Sequence, residues 1–276
     1  MTRLILLGTM GGARVVANRA NSSCAIVVDG VIYVIDCGSG VARQLVRAGL
    51  RLKDLSAIFI THHHDDHNIE LGNLLQAARM SGLEHPVRAY GPPPLAEIVR
   101  FYLKMNEYTF RHYAIDRTPL EQLIDVREID EGSVIRDDNV KVRSVANMHP
   151  PIPSFAYRFE TRDRVITVSG DTTPYSRVTD LARNSDVLVH EAMHRPSLKK
   201  LSARLPHCKD LVKSLLASHT TSEQAGKVAR DAGVNTLVIT HLIPGDDDTI
   251  TDEMWKEGPA KWFKGKILIG KDLMKI

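Results

Sequence analysis

The chain has 276 residues, 43% of them hydrophobic and 25% charged, with a formal net charge of +3; this suffices for one large globular core and is too small a charge to indicate duplex binding by itself. No run of about 18 apolar residues exists, which argues against a membrane-spanning helix, and the opening MTRLILLGTMGG reads as a first strand ending in a glycine turn rather than as a signal segment. Cys24, Cys37 and Cys208 are widely spaced with no C-x-x-C, so neither a disulfide framework nor a thiolate metal site is expected, and a reducing cytoplasm is the default.

In chain order, Leu4–Leu7, Ala25–Val28, Val31–Ile35 and Ala57–Ile60 are short apolar runs that predict strands. Asp29-Gly30 between the second and third is a hairpin signal. Asp36-Cys-Gly-Ser-Gly40 closes the third before a helical pattern from Val41 to Ala48. Further strands are expected at Val87–Tyr90, Val140–Val145, Ala156–Phe159, Val165–Ser169, Val187–Val189, Leu237–Ile239 and Ile267–Ile269. Ser222 opens a helix that runs to Ala232 and stops at Gly233. No repeat, low-complexity tract or linker divides residues 1–276, so a single domain is expected.

The stretch THHHDDHN, residues 61–68, holds four of the chain's twelve histidines. It follows a strand, and strand ends are where α/β proteins commonly converge reactive side chains. His62, His64, Asp66 and His67 fit H-x-H-x-D-H, a set of imidazole nitrogens and a carboxylate suited to zinc and, with less selectivity, to manganese or iron. Three more strands end in residues of the same kind: His149, Asp171 and His241. Jointly they complete two sets. His62, His64 and His149 make one and Asp66, His67 and His241 the other, with Asp171 able to bridge both at the ~3.5–4 Å separation of two-metal hydrolytic sites. The same spacing directs His63 and Asp65 away from the metals, with Asp65 placed to hold a ligand imidazole in its tautomer.

Asp36-Cys-Gly, Thr61-His-His-His-Asp-Asp-His67, His149-Pro, Ser169-Gly-Asp171-Thr, His190-Glu191-Ala, Ser218-His219-Thr-Thr and Thr240-His241-Leu occur in this order along nearly the whole chain. The pattern resembles the metallo-β-lactamase superfamily, in the branch that holds ribonuclease Z and the arylsulfatase-like phosphodiesterases. The resemblance implies an α/β fold, a four-layer αβ/βα sandwich with two zinc ions at one edge. It implies that Asp66 both ligates metal and orients the attacking water. It also implies that Glu191 and His219 form a proton-transfer pair near the leaving group, with Glu191 raising the imidazole's pKa. Aspartate at 171, where lactamases of the superfamily usually place a cysteine nearby, favours the phosphodiesterase side.

The interval from His149 to Asp171 is filled by one turn and two strands. Bacterial ribonuclease Z proteins of this branch generally carry a tRNA-binding arm there, so its absence weighs against tRNA processing. Two other segments are candidate lids. Residues 92–119 carry Phe101, Tyr102, Tyr108, Phe110 and Tyr113, which either shape a pocket or belong to an amphipathic helix over Leu95–Met105 that packs on the core or on a partner. Residues 194–218 carry Lys199, Lys200, Arg204, Lys209 and Lys213, which either attract an anion or form a solvated face; Arg158 is a further anion contact to test.

The sequence therefore predicts a cytoplasmic binuclear zinc hydrolase of a small ester, foremost a phosphodiester or related phosphate or sulfate ester. A ribonuclease Z-type tRNA 3′ endonuclease, acting on nucleic acid, is the alternative, followed by a lactonase or carboxylic-ester hydrolase. A ligand-binding regulator on the same fold is a non-enzymatic alternative, disfavoured because no ligand residue is missing. No membrane partner is expected, and a homodimer is compatible with these features.

Overall fold

The computed structural model describes residues 1–110 and 118–276. Its strands form two sheets. The first runs in sequence order through β1 (Thr2–Gly8), β2 (Ser23–Val28), β3 (Val31–Ile35), β4 (Leu55–Phe59), β5 (Val87–Gly91) and β6 (Ile124–Glu128). The second holds β7 (Val134–Arg136), β8 (Lys141–Ala146), β9 (Phe155–Glu160), β10 (Val165–Val168), β11 (Val187–Met193), β12 (Thr236–Ile243) and β13 (Lys266–Ile269), again in sequence order. Each sheet starts as an antiparallel meander and continues with parallel strands: β1 to β3 and then β3 to β6, β7 to β10 and then β10 to β13. Asp29 and Gly30 both take positive φ, 49° and 94°, which gives the β2–β3 turn the hand that matches strand twist.

The helices are α1 (Val41–Arg47), α2 (Asp65–Asn68), α3 (Leu71–Met80), α4 (Leu95–Phe110), α5 (Ser176–Leu181), α6 (Leu198–Arg204), α7 (Leu211–Ser218), α8 (Ser222–Ala232) and α9 (Asp252–Ala260). Burial shows why the strands read as continuous apolar runs instead of alternating ones. On β1, Ile5 and Leu7 join Val41 and Leu45 of α1 and Leu74 of α3 in one cluster. Leu4 and Leu6, on the opposite face, pack between the sheets with Phe59, Tyr157, Phe159 and Val189. A third cluster places Leu237 and Ile239 of β12 against Ala225 and Ala229 of α8 and Trp255 of α9. Both faces of the central strands are thus covered, and the layers run helix, sheet, sheet, helix.

Every strand expected from the sequence is present. β6 and β7 were not expected: Ile124-Asp-Val-Arg-Glu and Val134-Ile-Arg are half charged and lie at sheet edges, where one side needs no apolar cover. Among the described residues no helix is long and apolar enough to cross a membrane.

Candidate metal centre

The loops after β1, β3, β4, β8 and β10, the C-terminal halves of β11 and β12 and the end of α7 meet at one edge of the sandwich. Past β4 the chain stays extended through His64, whose φ and ψ are −70° and 149°, and then turns into α2. His62 and His64, two apart on extended backbone, therefore face the same way, while the helical turn swings Asp66 and His67 in from the side. His63 faces away: its Nε2 lies 2.7 Å from the Pro92 carbonyl and its Nδ1 meets the Asn68 amide at 2.8 Å. His241 reaches the site through a bulge. Glu191 pairs with Thr240 and Ala192 with Leu242, so His241 is the extra residue of β12, with φ at 45°.

All seven expected ligand residues converge. His64 Nδ1 lies 3.1 Å from His62 Nε2 and 3.2 Å from His149 Nε2. Asp66 Oδ2 lies 3.2 Å from His241 Nε2 and 3.6 Å from His67 Nε2. Asp171 Oδ2 stands between the sets, 3.8 Å from His62 Nε2, 3.4 Å from His67 Nε2 and 3.2 Å from His241 Nε2. Among the described residues, buried His67 Nε2 and Asp171 Oδ1 find no hydrogen-bond partner, a costly state for polar atoms that have no further partner.

These donors fit divalent ions in charge as well as in position. Burial, reinforced by neighbouring imidazoles, lowers the pKa of His62 and His64, and burial lowers that of His149, so all three are neutral and able to ligate. Burial works against ionising Asp66, yet His67 and His241 hold it at about 2. Asp171 is likewise ionised, its burial outweighed by His241 and His67. His67 goes the other way: against its burial, Asp171, Asp36 and Asp66 raise it well above the usual histidine value. A proton there balances carboxylates that a cation would otherwise balance.

Around these donors the structure assigns supports that the sequence reading missed. Asp36, held in the left-handed region at φ 61°, accepts from His67 Nδ1–H at 2.7 Å, from Thr61 N–H at 2.8 Å and from the Thr61 hydroxyl at 2.9 Å. This is the tautomer-fixing role expected of Asp65, which is instead exposed on α2. Gly12 N–H donates to Asp66 Oδ2 at 2.9 Å. Gly12 has φ +86°, and the signal for it was the Gly11-Gly12 pair in the loop after β1.

Glu191 and His219 come together as well. Glu191 Oε1 accepts from His219 Nδ1–H at 3.1 Å and from the N–H groups of Thr172 and Thr220 at 3.0 and 3.1 Å. Burial disfavours the imidazolium, but the charge and hydrogen bond of Glu191, helped by Asp171, carry His219 up to about 9. His219 is also within ligating reach of His149 and Asp171, although its Nδ1 is occupied by Glu191. His194 is not part of this group; its Nδ1 meets Ser197 Oγ at 2.8 Å and its ring packs on Trp255.

A cavity of about 250 Å³ opens onto His64, Asp66, Asp171, His219 and His241. Its remaining lining comes from the loop after β1, from residues 243–244 and from Leu201, Leu205, His207, Cys208, Leu211 and Leu215. Segment 194–218 thus contributes, whereas no described residue of 92–119 does. Phe101 and Tyr108 are exposed and Tyr102 covers Gly72; the Phe110 side chain and Tyr113 lie outside the described residues. Arg158 is no anion contact. Its guanidinium is spent on Glu160, on the carbonyls of Leu181 and Arg183 and on Ser185.

Comparison with known proteins agrees with this geometry. Residues 2–221 match the family described as Anti-Pycsar protein Apyc1. A ribonuclease Z of Mycolicibacterium paratuberculosis is 31% identical over 284 positions, covering 100% of this chain and 98% of the relative. Among solved structures, the metallo-beta-lactamase fold protein YhfI of Bacillus subtilis superposes with a TM-score of 0.75 at 19% identity, covering 100% and 99% of the two chains. The short form of human tRNase Z gives 0.72 at 20% identity, covering 99% and 98%. One expectation is weakened by these relatives. An alignment of 284 positions exceeds the 276 residues of this chain by only 8, so the mycobacterial ribonuclease Z has no large arm that this chain lacks, and the short interval between His149 and Asp171 does not set the two apart. The chain belongs to the Anti-Pycsar protein Apyc1 family and, with its ribonuclease Z relatives, to the metal-dependent hydrolases of the metallo-β-lactamase superfamily.

Proposed function

We propose that the protein is a binuclear phosphodiesterase for small phosphodiesters. His62, His64 and His149 would hold one ion, Asp66, His67 and His241 the other, and Asp171 both; the mix of imidazole and carboxylate favours zinc. Bound there, two divalent ions supply a hydroxide nucleophile at neutral pH and offset charge on the phosphoryl oxygens. The chain's own groups do the rest. Gly12 N–H donates to Asp66 Oδ2, the oxygen that faces His241 and His67, which leaves the other oxygen of that carboxylate to orient the attacking water. His219, its Nδ1–H fixed on Glu191, carries a second proton on the cavity side for the leaving oxygen.

The observation that carries the reading is the position of Asp171, within 3.8 Å of ligand atoms from both sets, beside a cavity sized for one side group of a diester. The 31% identity to ribonuclease Z over the full chain supports a second reading, cleavage of precursor tRNA. The test is kcat/KM of metal-loaded protein on bis(p-nitrophenyl) phosphate and on a precursor tRNA, the latter across salt concentrations. The small diester is expected to be the better substrate. Efficient tRNA cleavage with steep salt dependence would move the chain to the second reading, since a polyanion binds through many phosphate contacts.

A further inference from the structure

The cavity joins the charged residues of the metal centre to a largely apolar lining. Beside the metal-centre residues it is lined by Leu201 and Leu205, from α6 and its C-terminal cap, and Leu211 and Leu215 of α7, with His207 and Cys208 from the turn between the two helices. These leucines belong to a separate cluster with Met193, Leu198 and Ile243, in which Leu205, Leu211 and Leu215 are only partly buried. Building on the phosphodiesterase reading, we propose that this wall is a subsite for an apolar, ring-sized alcohol portion of the substrate, and that the portion it holds is the one that leaves.

Three relationships support the assignment. First, wall and proton donor share one element: α7 carries Leu215 and ends at His219, whose N–H donates to the Leu215 carbonyl at 2.9 Å. Leu215 and His219, one helical turn apart, both line the cavity, so a group seated on Leu215 would present its oxygen toward His219. Second, no lysine or arginine of the segment lines the cavity, and two of them, Lys200 and Arg204, are held in ion pairs. Arg204 pairs with Asp246 at 3.2 Å, Lys200 with Asp247 at 2.9 Å, and Arg14, which does line the cavity, also pairs with Asp246 at 2.9 Å. The wall is held in place and offers leucine, which favours an apolar group. Third, a space of about 250 Å³ takes one ring and not a chain of nucleotides. In the reaction, water oxygen bonds to phosphorus and the bond from phosphorus to the alcohol oxygen breaks with its electrons on that oxygen. The proton of His219 goes to this oxygen, and a proton of the water returns through His219 or solvent.

The test compares wild type with Leu205→Ala and Leu215→Ala, with Leu205→Met and Leu215→Met as apolar controls and circular dichroism to verify folding. Methyl p-nitrophenyl phosphate and phenyl p-nitrophenyl phosphate share a leaving group and differ in the group that stays. Wild type is expected to cleave both within about 3-fold of each other, and the alanine variants to raise KM about tenfold for both, as loss of a buried apolar contact predicts. Binding of 4-nitrophenol to the metal-free protein, read by calorimetry, should weaken about tenfold in the alanine variants and persist in the methionine ones. A wild-type preference for the phenyl ester that the alanine variants erase would assign the wall to the group that stays and overturn the proposal. Unchanged 4-nitrophenol binding in folded alanine variants would overturn it too. If wild type cleaves neither diester, the phosphodiesterase reading fails, and weakened 4-nitrophenol binding still identifies the apolar subsite.

Discussion

His149 Nδ1–H donates to the carbonyl oxygen of Ser218 at 2.9 Å. The last turn of α7 thereby fixes the tautomer of a metal-site histidine, turns its Nε2 toward His64, and places His219 one residue further on. The candidate metal site, His219 and the cavity wall are coupled through this bond, and variants that loosen the end of α7 should disturb all three.

Asp36 does for His67 what Ser218 does for His149. Asp36→Asn keeps the size but weakens the hold on His67 Nδ1–H, and it should lower metal affinity about 10–100-fold, the usual cost of losing such an outer contact. Competition with a chromogenic chelator measures this. Unchanged affinity would show that Thr61 and burial alone position His67.

His219→Ala should keep the metals, because the pairing of its Nδ1 with Glu191 sets it apart from the ligands, and should lose about 10²–10⁴-fold in turnover. The loss should shrink for leaving groups such as nitrophenolate, which need little protonation. Equal losses across leaving groups, followed by kcat on diesters of graded acidity, would turn His219 from a proton donor into a positioning group.

Much of this site was legible because its chemistry is local in sequence. H-x-H-x-D-H fixes which side chains share a face once the preceding strand is recognised, and Glu191 and His219 entered through the resemblance. What could not be read depended on approach between distant segments. Asp65 is adjacent to the ligands in sequence, yet Asp36, brought in by the β3–β4 pairing, makes the bond to His67. Gly12 N–H reaches Asp66 across the site. In 194–218 the lysines and arginines drew attention, while the residues that reach the cavity are the leucines between them, with His207 and Cys208. Arg158 alternates toward the helix layer, where carbonyls consume its donors.

A link between the sheets gives a pH-dependent test. Asp137, ahead of β8, accepts from the Tyr33 hydroxyl on β3 and from Arg88 on β5 at 2.9 and 2.8 Å, and from the N–H groups of Asn139 and Val140 at 2.9 Å each. Burial raises its pKa, but these donors outweigh burial and the net shift is downward. A carboxyl depressed on folding stabilises above its unfolded value of about 3.9 and loses that contribution as pH falls through the folded value. Asp137→Asn should therefore cost about 1–3 kcal/mol at pH 7 and less near pH 3. Urea unfolding at both pH values measures it, and a cost that does not fall with pH would mean that packing, and not charge, carries the link.

The two-ion reading rests on one carboxylate serving both ligand sets. Elemental analysis of protein purified without chelator, reported per chain, tests it most directly. Wild type should hold close to two divalent ions, zinc first among them, and Asp171→Ala should retain fewer of both, since it removes a contact from each and the negative charge between them. One ion or fewer in wild type, or two ions held with unchanged affinity by Asp171→Ala, would contradict the binuclear centre.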